Sequence, residues 1–357
     1  NLTGWNVKEV DFDNLTLLVG ASGVGKTQIL HALSSLSKVA QGDSENGIEW
    51  EVSFVLAEKT YVWTGQFEVV KSDAEDVYNF KEAKYNILRE SLVADDVKVV
   101  SRDEEQLLYK GIPTVKLDGC KSAIELLKAE DLISPISKGF RHIYQLQSAN
   151  IGISLSPVAN HMEDLIDLQS IKEKVSLSPF DKLFLLKKNK LKEFEDIKEQ
   201  FMEIFPLVED MDFAVGSFFN DMPFPILRIK EKNVASWILQ PNISSGMRRT
   251  LAQIITLTLA DEGDIILIDE FENGLGVNCI NQLAELILYP DVDIQVVMTS
   301  HHPYIINNIP FSKWKVVTRK ASDVSVHTAE ELNIGKHSKH EAFMQLIQTT
   351  AYKTGVL

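Results

Sequence analysis

The chain has 357 residues, of which 45% are hydrophobic and 24% are charged, and its formal net charge at pH 7 is −15. These values are typical of a globular protein of one to three lobes and argue against a surface that is basic overall. No apolar run approaches the ~20 residues of a membrane-spanning helix and no signal peptide is visible, so we expect a cytoplasmic protein with no membrane partner. Cys120 and Cys279 lack C-x-x-C spacing, which argues against a disulfide or a zinc site. Because the chain starts at Asn1 rather than at methionine, we expect its natural start either to be trimmed or to lie upstream of Asn1, where a targeting segment stays open.

The first predicted elements are a strand, a glycine-rich loop and a helix. The apolar run from Leu15 to Val19 is typical of a buried strand, and apolar residues recur at helical spacing from Thr27 onward. Between them, GASGVGKT fits the pattern G-x-x-x-x-G-K-[ST] of a phosphate-binding loop. Backbone N–H groups and a helix N-terminus attract phosphate oxygens, so this stretch predicts a nucleotide site. The alternative is a glycine turn before an ordinary helix.

Two residues of this loop have specific expected roles. The Lys26 ammonium is expected to contact the β- and γ-phosphates, and the Thr27 hydroxyl is expected to bind Mg²⁺. The other residues predicted to contact the nucleotide in this loop are Gly20, Ser22, Gly23, Val24, Gly25 and Gln28.

The middle of the chain changes from strand to helix character. Residues 48–70, 85–111 and 139–151 carry β-branched and aromatic residues and predict strands. Residues 160–205 predict short helices, the last of which ends before Pro206. Lysines cluster within this helical part, where a solvated helix face and a local DNA-binding groove are both conceivable. These lysines are Lys182, Lys187, Lys188, Lys190 and Lys192.

The C-terminal part predicts a βαβ series and hence a parallel sheet. Strands are expected over 223–241, followed by a helix from Ser245 to about Ala260, a strand at Ile265 to Ile268, a helix near Val277 to Leu288 and a strand at Ile294 to Ser300.

Charged and polar residues follow these elements at fixed places. Asp269 and Glu270 come directly after a buried strand, where Asp269 can hold Mg²⁺ opposite Thr27 and Glu270 can polarise an attacking water. An acidic turn is the alternative. His301 follows the next strand and can sense the γ-phosphate, with His302 as a competitor.

A serine–glycine helix start precedes these carboxylates. Ser244, Ser245 and Gly246 can form a second anion site at the start of a helix, although helix capping alone would explain the serines.

In chain order, GASGVGKT, ISSGM, ILIDEFENGL and TSHHP resemble the Walker A, signature, Walker B/D-loop and switch-histidine motifs of ABC-type ATPases. The pattern is most similar to the soluble RecF/SMC/OLD-like branch, the AAA15 and AAA21 ATPases of prokaryotic defence and DNA-maintenance systems. Phe271 stands where proline is usual, Met247 replaces Gln or Thr, and GLGVN replaces a histidine–proline ending. The Q-loop glutamine stays open among Gln66, Gln145 and Gln147, and Trp5 is either an adenine-stacking or a core residue.

The resemblance implies an α/β ABC-ATPase head that has a P-loop parallel sheet core, an antiparallel β lobe and a helical lobe. The expected division is 1–47 and 223–357 for the ATPase core, 48–150 for the β-rich lobe and 151–222 for the helical lobe. It also implies ATP and Mg²⁺ as cofactors, Glu270 and His301 as catalytic residues, and Thr27 and Asp269 as metal ligands. Two copies would meet head to head as a homodimer or higher homo-oligomer, with Ser244 to Gly246 of one copy completing the site of the other.

We weigh three functions for such an ATPase. The first is a nucleotide-gated sensor or regulator of a separate effector, a nuclease or toxin, in a prokaryotic anti-phage defence or toxin-like system. The second is a DNA-repair or DNA-maintenance ATPase that clamps DNA, which the negative charge does not indicate. The third is the ATPase subunit of a transporter, which the FENGL sequence and the strand-rich middle argue against.

Overall fold

A computed structural model describes residues 4–70, 83–146, 167–174, 177–217, 223–335 and 339–356. The strands are β1 (Asn6–Val7), β2 (Leu15–Val19), β3 (Glu49–Leu56), β4 (Lys59–Phe67), β5 (Ile87–Ala94), β6 (Val97–Arg102), β7 (Leu107–Tyr109), β8 (Ile112–Pro113), β9 (Ile143–Leu146), β10 (Val208–Ser217), β11 (Pro223–Glu231), β12 (Ile238–Leu239), β13 (Ile265–Ile268), β14 (Gln295–Thr299), β15 (Trp314–Lys320) and β16 (Asp323–Thr328). The helices are α1 (Lys26–Ala40), α2 (Ala123–Leu126), α3 (Ser134–Arg141), α4 (Leu168–Lys172), α5 (Pro179–Lys188), α6 (Lys192–Ile204), α7 (Ser245–Thr258), α8 (Val277–Leu288), α9 (Pro303–Asn308), α10 (Lys339–Gln348) and α11 (Thr350–Thr354).

The chain forms two compact units, each of which has its own apolar core. The first unit comprises Asn1–Val10, Thr27–Ile143 and Arg319–Ser325, and the second comprises Asp11–Lys26, Tyr144–Thr318 and Val326–Leu357. The fold is therefore mixed α/β, with a parallel sheet, separate antiparallel sheets and helices, as the sequence predicts.

The first unit is built around an antiparallel sheet with strand order β3-β4-β5-β6-β7-β8. Its core is rich in aromatic residues: the rings of Trp50 and Trp63 lie 5.1 Å apart, centroid to centroid, and Phe140 of α3 packs 5.1 Å from Trp63. Aromatic pairs at such distances bury much apolar surface per residue, so they stabilise the sheet although few helices cover it.

The second unit contains the parallel strands β15, β2, β14 and β13, which lie side by side in that order. Leu17 of β2 lies opposite Met298 of β14 and Trp314 of β15, and all three side chains are buried. Strands of a parallel sheet that is buried on both faces consist of such continuous apolar runs. The polar residues that follow them in sequence therefore lie at the ends of the strands. The same unit carries the antiparallel strands β10, β11 and β12.

Several predicted elements agree with the structure, and one does not. The strand over Leu15–Val19 and the helix over Val277–Leu288 are confirmed. The strand predicted over 139–151 begins only at Ile143, because 139–141 end α3. A proline in the first turn of α3 and buried Ile136 and Phe140 on one face favour this helix. Residues 147–151, and 160–166 of the predicted helical part, lie outside the described residues.

Two open residues of the sequence analysis fall in the first unit. Trp5 is half-buried rather than a core residue, and the Arg319 guanidinium lies 4.0 Å from its ring centroid. Gln66 lies in β4, where its Oε1 accepts a hydrogen bond from Arg89 Nε at 3.0 Å. Gln145 lies in β9, and Gln147 lies outside the described residues. The choice of Q-loop glutamine therefore stays open.

In the described ranges, no helix is both long enough and apolar enough to cross a membrane.

Candidate functional site

The glycine-rich loop leaves β2 and wraps around the head group of Lys26, the first residue of α1. The Lys26 Nζ donates hydrogen bonds to the carbonyl oxygens of Gly20 at 2.9 Å and Ala21 at 2.8 Å. Gly23 and Gly25 adopt φ angles of 80° and 104°, which only glycine adopts readily, so the chain can close this tight loop. The ammonium group is thus held inside the loop by acceptors that phosphate oxygens can replace.

Lys26 is buried, with 6% of its surface exposed. Burial lowers the pKa of Lys26 to about 8, and the negative charges of Asp269, Glu270 and Glu272 oppose that shift. A cation with no fully compensating partner at close range is expected to gain from an incoming anion. The electrostatics of the loop therefore fit a phosphate ligand.

The remaining predicted loop residues differ in exposure. Ser22 and Gly23 are exposed, whereas the Val24 side chain is 4% exposed and Gly25 is buried. Thr27 and Gln28 lie in α1, within the part of that helix that belongs to the first unit. The pairing of Thr27 with Asp269 on one metal ion stays a prediction.

Val24 packs against the C-terminal end of the described chain. Gly355 ends α11 in a left-handed conformation with φ 73°. A Cβ atom placed on it would lie 2.2 Å from Val24 Cγ1 and 3.5 Å from the Ala21 Cβ. The glycine-rich loop therefore packs against a segment far away in sequence, which no pattern in the sequence indicated.

Asp269 and Glu270 follow β13 at the edge of the parallel sheet and are joined to the end of β14 by one hydroxyl group. Thr299 Oγ1 donates a hydrogen bond to Asp269 Oδ1 at 2.7 Å and accepts one from the Glu270 N–H at 2.7 Å. Because β13 and β14 are parallel neighbours, their carboxyl ends meet at the same edge. Thr299 had no predicted role, although it is the threonine of the TSHHP motif.

Glu270 is held in a conformation that is strained for a residue with a side chain. Its φ is 46°, which costs a non-glycine residue about 1–3 kcal/mol. The Asn273 N–H donates to its carbonyl oxygen at 2.8 Å, and Asn273 Nδ2 donates to its Oε2 at 2.9 Å. The carboxylate is nevertheless exposed. A fixed backbone that presents an exposed carboxylate fits the predicted role of orienting a water.

A third carboxylate, Glu272, connects this edge to the predicted switch histidine. Glu272 Oε1 accepts a hydrogen bond from the His301 N–H at 2.7 Å. Its Oε2 is buried without a hydrogen-bond partner in the part of the chain that the structure describes. A buried carboxylate oxygen without a donor is costly, so such atoms often mark functional sites. No sequence pattern indicated a role for Glu272.

The two candidate histidines have different surroundings. Burial lowers the pKa of His301, the Lys26 charge lowers it further, and the charges of Glu272, Glu270 and Asp269 oppose the shift. His302 instead caps α9, where its Nδ1 accepts from the Tyr304 N–H at 3.3 Å. This difference supports His301 over His302 as the residue that faces the loop lysine.

Ser244 and Ser245 open α7 and are both exposed. The Ser244 hydroxyl caps the helix by accepting from the Met247 N–H at 3.2 Å. Capping thus occurs, but it leaves the two serines accessible to a second copy. Gly246 is packed closely, since a Cβ there would lie 2.7 Å from the Gly274 carbonyl oxygen.

Arg249, on the same helix, is buried. It lies against the carboxylate edge, the end of the parallel sheet that carries Asp269, Glu270 and Glu272. Its Nη2 donates to the carbonyl oxygens of Asp269 at 3.1 Å and Glu270 at 3.0 Å. Burial lowers the pKa of Arg249, and Glu270, Glu272 and Asp269 oppose that shift. In the sequence GMRRTL, Arg248 and Arg249 look alike, so no pattern predicted that Arg249 contacts the carboxylate edge.

Two residues of the lysine cluster, Lys182 and Lys187, are engaged within the chain. Burial lowers the pKa of Lys182, whose Nζ donates to the Lys172 carbonyl oxygen at 3.1 Å. Lys187 forms an ion pair with Asp212. Lys192 is exposed and lies 3.4 Å from Asp196. Lys188, Lys190 and Lys192 are exposed, so the choice between a solvated helix face and a local DNA-binding groove stays open for them.

Among the described residues, no group of three or more His, Cys, Asp or Glu side chains is arranged to hold a metal ion. The carboxylate edge fits Mg²⁺ in another way, since this ion keeps several waters and is often bound through one or two carboxylates and substrate phosphates. Asp269 can supply such a carboxylate.

Comparison with known proteins gives one family and a set of similar structures. The family model AAA_21, described as "AAA domain, putative AbiEii toxin, Type IV TA system", matches residues 126–307. No curated protein matches the chain.

The similar structures include heads of SMC proteins. An SMC head bound to the C-winged helix domain of ScpA is 14% identical, with 89% of this chain and 91% of that chain covered and a TM-score of 0.46. An SMC head from Pyrococcus furiosus bound to the C-terminal domain of ScpA is 16% identical, with coverages of 90% and 92% and a TM-score of 0.43. The SMC head domain from Thermotoga maritima is 13% identical, with coverages of 89% and 92% and a TM-score of 0.37.

Proposed function

Because the AAA_21 model matches just over half of its residues, the chain belongs to this family of AAA domains, and we propose that it binds and hydrolyses ATP at the loop around Lys26. The observation that carries the proposal is the environment of Lys26. Its buried ammonium donates to two carbonyl oxygens of the loop, and the charges of Asp269, Glu270 and Glu272 raise its pKa against the effect of burial. This arrangement supports the exchange of carbonyl acceptors for phosphate oxygens when ATP enters.

The carboxylate edge gives the proposed reaction its groups. Glu270 accepts a proton from an attacking water. Its N–H donates to Thr299 Oγ1, which orients its backbone, and Asn273 Nδ2 donates to its carboxylate. Asp269, with Thr27, would hold Mg²⁺, which neutralises charge on the phosphates when bound. His301 is kept neutral by the fall in its pKa, so it can donate or accept a hydrogen bond near the γ-phosphate.

The exposed start of α7 supports a site that is completed by a second copy. Ser244 and Ser245 are presented at a helix N-terminus, which favours anions. We therefore infer a head-to-head homodimer in which these serines contact the ATP bound by the other copy.

The biological role that we propose is a nucleotide-gated regulator of a separate effector in a prokaryotic toxin-like or anti-phage defence system. The family description, which names a putative toxin and a type IV toxin–antitoxin system, supports this role. DNA clamping is less favoured, since Lys182 and Lys187 are engaged within the chain and the net charge is −15.

Light scattering on two variants tests the ATPase and the dimer together. Glu270→Gln keeps the size of the side chain but removes the proton acceptor, so ATP should remain bound and the variant should accumulate as an ATP-dependent dimer. Adding Ser244→Arg should return it to a monomer while ATP still binds. A Glu270→Gln protein whose mass ignores ATP would refute the dimer, and an ATP-driven dimer that survives Ser244→Arg would remove α7 from the site.

A further inference from the structure

A groove lies between the C-terminal halves of α6 and α8 in the second unit. Its volume is about 330 Å³, which is within the range of ligand-binding pockets. Side chains of both helices line it, and none of them belongs to the proposed nucleotide site. The groove is therefore a separate feature of the molecule.

The groove offers hydrogen-bond acceptors that lack a donor. Glu203 of α6 and Glu285 of α8 are exposed, and neither forms an ion pair among the described residues. Gln200 Oε1 is buried and has no hydrogen-bond donor in the described ranges. A buried acceptor without a donor is costly unless a water or a ligand satisfies it. These oxygens come from both helices, so one ligand that donates several hydrogen bonds could join them.

The ends of the two helices make the groove more negative. α6 ends at Ile204 and α8 ends at Leu288, and neither helix carries a basic residue in its last turn. In contrast, α5 of the same unit ends with Lys187 and Lys188. The C-terminal end of a helix bears a partial negative charge that favours cations. Two uncompensated helix ends and two glutamates therefore favour a positively charged ligand.

The apolar residues of the groove select among cations. Ile204 and Leu286 line it, and Tyr289 presents an exposed aromatic ring. An arginine side chain fits this lining, because it has an apolar stem and a planar guanidinium that donates several hydrogen bonds and stacks on aromatic faces. A lysine ammonium is compact and strongly hydrated, so it fits less well. Among the described residues, no three or more His, Cys, Asp or Glu side chains are arranged to hold a metal ion instead.

We propose that this groove binds an arginine side chain that a partner protein presents. The guanidinium donates to Gln200 Oε1 and to the carboxylates of Glu203 and Glu285, and its face stacks on the Tyr289 ring. Tyr289 and Leu207, which follow α8 and α6, are 78% and 69% exposed, and large exposed apolar residues beside a polar groove favour a protein surface over a free small cation. The inference goes beyond the proposed function, since it does not depend on ATP.

Fluorine NMR of the natural chain, labelled with fluorotyrosine, tests the site directly. The Tyr289 signal is identified by its loss in Tyr289→Phe, and the probe is an alanine-based helical peptide that carries one arginine. The peptide should shift the Tyr289 signal to saturation, because the guanidinium stacks on this ring. The same peptide with lysine in place of arginine should bind several-fold more weakly, and the peptide with citrulline, an uncharged isostere, should leave the signal unchanged.

Two results of this titration would overturn the proposal. The arginine peptide could leave the Tyr289 signal unchanged, or the citrulline peptide could shift it equally, in which case the groove binds apolar surface and not a cation. Both comparisons use the natural chain, so they do not depend on the folding of a variant.

Glu203→Gln combined with Glu285→Gln removes the two carboxylate charges and keeps the shape of the groove. Exposed ion pairs are each worth up to a few-fold in affinity, so this double variant should bind the arginine peptide roughly 10-fold more weakly. Glu262→Gln combined with Glu330→Gln is the matched control, since it removes two exposed glutamates of the same unit that do not line the groove. Equal affinities of the two double variants would show that the peptide responds only to net charge and would overturn the site.

Ca²⁺ without peptide is the last comparison. It should leave the Tyr289 signal unchanged, whereas a saturable shift that competes with the arginine peptide would make the groove a metal site and overturn the proposal. All titrations are done without ATP. Failure here therefore leaves the proposed function intact, and a chain that does not hydrolyse ATP leaves this proposal intact.

Discussion

Each unit has a glutamate with a buried carboxylate oxygen, but the hydrogen bonds of the two carboxylates differ. In the first unit, Glu90 is 2% exposed and accepts hydrogen bonds from Trp63 Nε1 at 2.9 Å and from the Ala123 N–H at 2.8 Å, with Arg102 at 3.6 Å. In the second unit, one oxygen of Glu272 accepts from the His301 N–H, and the other is buried without a hydrogen-bond donor among the described residues.

The difference separates a carboxylate that holds a fold from carboxylates that are available for chemistry. One oxygen of Glu90 accepts from Trp63 within the sheet and the other joins the sheet to α2, although burial raises the pKa of Glu90 and so makes its charge costly. At the sheet edge of the second unit, Glu270 is exposed on a strained backbone and Glu272 is under-satisfied. Proteins keep such features where function requires them.

The largest expected effect is on catalysis at Glu270. Glu270→Gln should lower the rate of ATP hydrolysis by ~10²- to 10⁴-fold, the range for loss of a general base, while the melting temperature stays nearly unchanged. Phosphate release assays and thermal unfolding of the same preparations measure both quantities. Hydrolysis at the natural rate would remove Glu270 from the reaction.

The corresponding change at Glu90 should have the opposite profile. Glu90→Gln leaves the amide unable to accept from both Trp63 and Ala123, so the free energy of unfolding of the first unit should fall by about 1–3 kcal/mol. The turnover of the folded fraction should not change. Denaturant unfolding followed by tryptophan fluorescence measures the loss, and a stable but inactive variant would contradict the comparison.

The smallest expected effect is the pH dependence of ATP binding that the ionisation of Lys26 produces. Since the pKa of Lys26 is lowered to about 8, the empty site should lose its proton above pH 8, and ATP affinity should fall by up to about tenfold per pH unit beyond it. The lowered pKa also means that the unfolded chain binds more protons between about pH 8 and 10.5, so stability should rise over that range.

Calorimetry at pH 8.5 in two buffers with different ionisation enthalpies measures this linkage. Uptake of protons on ATP binding, which is absent at pH 7, is expected. Equal heats in both buffers at pH 8.5 would show that Lys26 is already fully charged in the empty site.

Much of this architecture could be predicted from the sequence, because local patterns determine it. The apolar run of β2, the glycines after it and the Asp269–Glu270 pair after β13 each follow from a few adjacent residues. The contacts that tune the site could not be predicted. Arg249 and Gly355 act through neighbours distant in sequence, and Thr299 through an adjacent strand, so only the folded chain brings them to their partners.

The short helix α3 shows that local sequence can also predict the wrong secondary structure. Residues 139–141 resemble the strand that follows them, and tertiary packing of Ile136 and Phe140, rather than local propensity, decides their conformation.

Binding of ATP with Mg²⁺ to Lys26→Ala, measured by titration calorimetry, tests the central claim most directly. The variant should fold, since it removes a cation whose burial is costly, and its ATP affinity should fall by roughly 100-fold or more with the loss of charge-assisted hydrogen bonds to phosphate. Lys172→Ala, which breaks a 2.7 Å ion pair to Asp261 elsewhere in the same unit, should bind ATP as the natural chain does. A folded Lys26→Ala protein that binds ATP as tightly as this control would contradict the nucleotide site.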